Sequence, residues 1–327
     1  MRAGFTRQVA QTADKLFTWL APCLSAGFAV ALLSVALRDS PQQMPAALSG
    51  SLPTASISLY GSPLLSLGAD PAAAKLRPET VSAFDLYTRL TDERNAGELQ
   101  RGTGRLWIDS LPENQRTEAY AALKRGDGQI KQLNTWENGK AISCPGGMIH
   151  HWVGVVFIPG AKLDDVLAIL EDYDHQSTYY APDVERSKIL SRDGDHFRVF
   201  LRFRRHKAIT VVLNSEHDVQ YFRDAPGRAH SRSSAVRIAE VENPGKGDEH
   251  EKPPGADDGF LWRMETWWRM EERDGGVYVQ SEVASLTRDI PTGLGWLIGP
   301  FVTSIPRETL LFTLEATRKA VERQIGK

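Results

Sequence analysis

Cysteine is nearly absent, with only Cys23 and Cys144 in 327 residues. That scarcity excludes a disulfide framework and any zinc site built from several thiolates. Neither charge sign is in excess, since 39 Lys and Arg face 41 Asp and Glu for a net charge of −2. A chain held to nucleic acid mainly by phosphate contacts would be basic, so no nucleic-acid partner is expected. The common catalytic signatures are missing as well: there is no GxSxG elbow, no HExxH helix and no phosphate-binding loop. Gly293, Gly295 and Gly299 are spaced one residue wider than the dinucleotide fingerprint. The chain also ends at Lys327, too soon for the helix and second parallel strand that such a fingerprint requires. No cofactor is expected. What is present is globular in composition, at 41% hydrophobic, 24% charged and 9% aromatic, and the length suits one or two domains.

One long apolar run exists. Arg2, Arg7 and Lys15 precede an uncharged stretch from Leu16 to Leu37, which Arg38 and Asp39 end. A basic flank before a run long enough to span a bilayer marks residues 1–37 as an export signal or N-terminal membrane anchor. Ser34-Val35-Ala36 offers small residues for cleavage. The expectation is an exported or membrane-anchored protein, in a bacterial-type periplasm or cell envelope. Residues 38–75, rich in Ser, Pro, Gly, Ala and Leu without a lasting period, read as a flexible linker.

Residues 76–147 read as a small N-terminal α/β attachment. A helix starts at Pro78, with Val81, Phe84, Leu86 and Leu90 spaced for one face. A short strand is expected around Leu106-Trp107-Ile108, a helix after Ser110-Leu111-Pro112-Glu113, and a strand from Gln129 to Trp136. This segment is too small to be secure alone and is expected to pack on residues 148–327.

Residues 148–327 open with the β-branched and aromatic run His150 to Ile158, stopped by Pro159-Gly160. Leu163, Val166, Leu167 and Leu170 then mark an amphipathic helix. The period changes to two through Phe197–Phe203, Val211–Val219, Ala229–Val241, Phe260–Glu271 and, after Asp274-Gly275-Gly276, Val277–Leu286. Such alternation means an antiparallel sheet with one face buried and one wet. The Pro-, Gly- and charge-rich segment Asn243–Gly259 reads as a long exposed hairpin loop. A last helix from Pro306 places Leu310, Leu314, Thr317 and Val321 on one face. A curved sheet around that helix is the economical way to bury both apolar surfaces, and a cavity remains if the sheet bends away. The fold class is therefore α+β, a helix-grip arrangement.

That order of elements, from Met148 to Lys327, resembles the START-like helix-grip superfamily, also called SRPBCC, in its polyketide-cyclase and coenzyme Q-binding branch. Val166 to Asp174 and then Tyr179 to Ser187 carry the resemblance, as a helix–aromatic–proline passage into the next strand. The resemblance implies a hydrophobic ligand between the sheet and the C-terminal helix: a lipid, an isoprenoid quinone or a sterol-like molecule. Two other classes stand beside it: a polyketide cyclase or aromatase-type enzyme, and an interaction protein whose cavity is filled by its own side chains.

Candidate ligand-binding residues are Tyr173, Tyr180, Phe197, Val199, Leu201, Trp262, Met264, Trp268, Ser281 and Phe301. Indole, thioether and phenyl groups make adaptable apolar walls. Ser281, Ser285 and Glu282 could orient a polar end, but the sequence leaves open which of the alternating faces points inward. Convergence of Glu282, Tyr173 or Arg263 in the cavity would favour the enzyme. Gly293 to Gly299 reads equally as an apolar lid beside the cavity mouth or as a packed turn. His150 and His151 are adjacent, so on a strand they face opposite ways and cannot chelate one metal. His196, His206, His217 and His230 read as ordinary surface histidines at strand ends. The cluster Arg198, Arg202, Arg204, Arg205 and Lys207 could touch anionic lipid headgroups at a membrane surface. The competing reading is a solvated sheet face balanced by Glu265 and Glu271.

Overall fold

Asp274 and Gly275 both have positive φ, 58° and 76°, the backbone that a two-residue hairpin turn demands. They join the two strands at the centre of the molecule, and the rest of the sheet is built outward from them. The computed structural model describes residues 75–102, 104–206, 210–289 and 295–326, with backbone alone over 295–303. The segments expected to be an anchor and linker, residues 1–37 and most of 38–75, lie outside the described residues, as does the start of the Gly293–Gly299 stretch. Among the described residues, no helix is long and apolar enough to cross a membrane.

The chain runs α1 (Pro78–Gln100), a short 3-10 turn (Trp107–Ser110), α2 (Glu113–Lys124), β1 (Gln129–Gln132), β2 (Trp136–Glu137), β3 (Lys140–Ala141), β4 (Gly147–Pro159), α3 (Leu163–Leu170), a turn at Tyr173–His175 and α4 (Gln176–Tyr179). It continues through β5 (Val184–Asp193), β6 (His196–His206), β7 (Thr210–Ala225), β8 (Arg228–Glu242), β9 (His250–Glu251), β10 (Arg263–Arg273), β11 (Gly276–Arg288) and α5 (Gly295–Ile325). The main sheet has the order β1-β4-β11-β10-β8-β7-β6-β5, with β9 added beside β8. Every pairing is antiparallel. The architecture is α+β, a curved antiparallel sheet gripping a long C-terminal helix.

On the concave side, Leu310, Leu314, Thr317 and Val321 of α5 are almost fully buried, as their helical spacing requires. They meet Val156, Ile158, Phe197, Val199, Val219, Met270, Val277 and Val279 from the strands, while α3 closes one end with Val166, Leu167 and Leu170. Asp165 caps α3 by accepting from the Lys162 amide at 2.8 Å, and Glu272 accepts from the Leu163 amide at 2.9 Å. The approach of α5 to β4 is made possible by Gly154. A Cβ there would stand 2.6 Å from Leu314 Cδ1. Gly154→Ala is therefore expected to destabilise the fold by about 1–3 kcal/mol in chemical denaturation, through overpacking; an unchanged midpoint would contradict this close fit.

Residues 76–147 cover the other, convex side. Phe84 and Tyr87 of α1 pack on Trp262, Trp267, Ala284 and Leu286, while Leu106, Ile108, Ala119 and Leu123 pack on Val155, Phe157 and Tyr278. The segment belongs to the same compact unit as the sheet, Gly68–Lys327, and supplies its edge strand β1.

Four expectations need correction. Leu106-Trp107-Ile108 is not a strand: Asp109 accepts from the Leu106 amide at 3.0 Å and folds the segment into a 3-10 turn. The last helix begins at Gly295, not Pro306, so the helical backbone carries on through Pro300 and Pro306 despite their missing amide protons. Gly295 to Gly299 are accordingly helical rather than a turn. The Asn243–Gly259 segment is not a free loop. It contains β9, and Glu249 accepts from Arg202, Glu251 from Asn214 and Arg237, while Lys252 pairs with Glu240.

Candidate functional site

Because strand side chains alternate, the registers sort the sheet into a concave floor and a convex face. One row across the floor is Tyr221, Ser231, Trp268, Ser281 and Gly154. The next is Phe197, Val219, Ser233, Thr266, Val283 and Trp152. Further along stand Val199 and His217 with Ala235, and Met264 with Ser285 and His150.

Packing is uneven along this floor. Near Leu310 and Leu314 it is closed: Ser231 and Ser281 are 2% and 1% exposed, and their hydroxyls have no hydrogen-bond partner. Trp268 between these two serines, and Ser233, Met264, Thr266, Val283 and Trp152 farther along, are only half-buried although they stand on the helix side. They stand on the same side of the sheet as α5, where a ligand of matching shape would gain apolar contact.

The residues singled out from the sequence fall into separate groups. Met264, Trp268 and Ser281 lie together on the floor. Phe197, Val199 and Tyr173 are packed in the main core beside α3, and the Tyr173 and Tyr221 hydroxyls meet at 2.9 Å. Tyr180 and Leu201 form a neighbouring cluster with Val184 and Ala316, where the Tyr180 hydroxyl meets Thr317 Oγ1 at 3.0 Å. These tyrosines thus plug the closed end, and burial raises all three phenols, Tyr180 to about 12. Trp262 stands apart. It precedes β10, so strand alternation does not govern it; its indole donates to Asp257 at 2.6 Å and packs against α1 on the convex side. Phe301 falls in the part of α5 where the side chains lie outside the described residues.

Sequence reasoning missed His217. It is no surface residue: it is 3% exposed on the concave side, and burial pushes its imidazole down to about 4. Its place beside Val219 and Tyr221 in the strand alternation was the signal. His150 also faces the floor, paired with Thr287 at 3.1 Å and likewise lowered to about 4 by burial, while His151 faces the convex side.

Glu282 lies on that convex side too. His151 Nε2 donates to its Oε1 at 2.8 Å, and Arg94 of α1 bonds the same oxygen. Of the basic cluster, Arg202 is buried between Glu185 and Glu249, Arg204 pairs with Glu185, and Arg198 with Glu216. Arg205 points the other way, to Asp183 and Thr309 of α5. The balancing acids are therefore not Glu265 and Glu271, which pair with Arg232 and Arg228. Lys207 lies outside the described residues. Among the described residues, no group of His, Cys, Asp and Glu could hold a metal ion.

No family model matches the chain, and no curated protein does. Solved structures do align with it. A STAR-related lipid transfer protein from Xanthomonas axonopodis is 20% identical, covering 58% of this chain and 98% of its own, at a TM-score of 0.38. The Zhui aromatase/cyclase from Streptomyces sp. R1128 is 16% identical, covering 54% and 96%, at 0.36. A START superfamily protein from Mycobacterium smegmatis is 14% identical, covering 53% and 98%, also at 0.36. At identities and scores this low, the helix-grip assignment stands on the strand order and register given above.

Proposed function

We propose that this chain binds a hydrophobic small molecule, lipid, isoprenoid quinone or sterol-like, between the concave floor and α5, and that it does so without catalysis. The observation that carries the reading is the floor itself, where Met264, Trp268, Val283 and Trp152 face the helix yet keep open surface. Burying apolar ligand area there yields about 25 cal/mol per Å². The cyclase alternative gains no support from its three markers. Glu282 is engaged by His151 and Arg94 on the convex side, Arg263 shares that side with its cross-strand partner Leu286, and the Tyr173 hydroxyl is held by Tyr221. Placement in the cell envelope rests on residues 1–37 alone; recovery of the full chain in the cytosolic fraction would refute it.

The test is uptake of N-phenylnaphthylamine, an uncharged apolar fluorophore. Thr266→Trp, which fills the half-buried middle of the floor, is expected to weaken uptake about tenfold or more. Binding unaffected by this substitution, in protein that still melts cooperatively, would place the ligand elsewhere or nowhere.

A further inference from the structure

β8 and β10 part before β8 ends. Their pairing stops at Ser234 and Glu265, while β8 runs on to Glu242. The chain ahead of β10 stays with β11 instead. There the Trp262 amide donates to the Leu286 carbonyl at 2.8 Å, and the Arg288 amide to the Gly259 carbonyl at 2.8 Å. A cavity of about 420 Å³ is left at this seam, bordered also by Pro254 to Asp257 and by Lys75 and Leu76 at the approach to α1. It lies apart from Met264, Thr266 and Trp268 of the floor, none of which lines it.

Leu76, Ile238, Leu261 and Trp262 give the cavity its apolar walls. Both acids of the lining have their partners. The Glu240 carboxylate accepts from the Asp258 amide at 2.8 Å, the Phe260 amide at 3.1 Å and Lys252 Nζ at 3.2 Å. Asp257 Oδ1 accepts from the Trp262 indole at 2.6 Å and the Gly259 amide at 3.0 Å. Asp258 shares Lys252, but it stands outside the lining with its side chain 51% exposed to water. The two cations of the lining are less well matched. Among the described residues, no acid forms an ion pair with Lys75 or Arg263. The Arg263 guanidinium uses one donor, Nη1, on the Trp262 carbonyl at 3.1 Å. Its other donors keep the fork that binds a carboxylate through two parallel hydrogen bonds.

From this geometry we infer that the seam cavity is a second ligand site, for a small amphipathic monoanion. Its carboxylate pairs with Arg263, with Lys75 lining the same cavity, and its aromatic or short aliphatic body lies against Trp262 and Leu261. An uncharged molecule leaves both cations without an anion, and a doubly charged phosphate meets the like charge of Asp257. The site stands independently of any ligand between the floor and α5.

The experiment compares naphthoate with the uncharged naphthamide in equilibrium dialysis against the full chain. Naphthoate is expected to bind about tenfold more tightly. Arg263→Gln should bring the two compounds to equal affinity. Arg263→Lys should retain part of the preference, since the charge stays and the fork is lost. Added salt should weaken naphthoate alone. Location is read by NMR of the indole N–H of Trp262, assigned with Trp262→Phe: naphthoate should shift it in the wild-type protein and not in Arg263→Gln. Thr266→Trp, which fills the floor, should leave naphthoate binding unchanged. Equal affinity for the two compounds in the wild-type protein overturns the inference. So does a preference that survives Arg263→Gln, an unmoved Trp262 resonance, or loss of naphthoate binding in Thr266→Trp. N-phenylnaphthylamine carries no anion for Arg263, so its uptake tests the floor separately and the two sites fail independently.

Discussion

Replacing Glu282 with leucine is expected to lower the unfolding free energy by about 3–5 kcal/mol, because it strips a buried charge network of its only fully enclosed acid. Glu282 is 1% exposed. Burial by itself would raise its carboxyl, but the His151 hydrogen bond and the charge of Arg94 hold it below the ordinary glutamate value. His151 is in turn paired through Nδ1 with the Tyr87 hydroxyl at 2.9 Å, which accepts from the Thr135 amide. Arg269, 3% exposed beside Glu98 and Asn95, also feels the Glu282 charge. Leucine leaves His151 without its acceptor and two arginines short of an anion. Glu282→Gln keeps an acceptor and should cost less. The pH sign follows from the depressed carboxyl: its contribution is present above the ordinary value of 4.5 and is lost as pH falls through the lower folded value. Glu282→Gln should therefore flatten the acid limb of the stability curve. Denaturant midpoints with an unchanged slope measure this, and a leucine variant within about 1 kcal/mol of wild type would contradict it.

Acidification is the second large effect. His150 and His217 are each 3% exposed, and burial lowers both from 6.5 to about 4. The unfolded chain binds protons at these positions where the folded chain does not. Stability is therefore complete above pH 6.5 and declines toward pH 4, by about 3 kcal/mol for each histidine. His217→Phe should remove one of the two contributions and reduce the slope of stability against pH by about one proton. Thermal midpoints followed from neutral pH into that window measure it. A flat wild-type profile would show that these rings are solvated in the fold.

The strands and the face of α5 were legible because their periods are long and regular: Phe197 to Phe203 alternates, and Leu310 to Val321 keeps helical spacing. Which strand face forms the floor was not legible, because β4, β10 and β11 are covered on both sides. Val153 to Ile158 are all buried, so alternation of hydrophobicity carries no inside or outside there. The early start of α5 was hidden by Gly295, Gly299 and Pro300, poor helix formers that punctuate the chain. Three apolar residues at Leu106 to Ile108 looked like a strand, and the Asp109 cap that turns them is visible only in space. Trp262 was grouped with Met264 and Trp268 by spacing, though the strand begins one residue after it. His217 was misplaced because a histidine between polar neighbours resembles surface; only its register opposite Val199 and Ala235 puts it in the interior.

Occupancy of the space between the floor and α5 by an apolar molecule is the central claim. Native mass spectrometry of the protein purified without detergent, with solvent extraction and identification of whatever is released, asks this directly. The expected result is a stoichiometric adduct that is lost on extraction and proves to be a hydrophobic small molecule. A protein that emerges at its bare mass, and that afterwards takes up no N-phenylnaphthylamine, would contradict the claim.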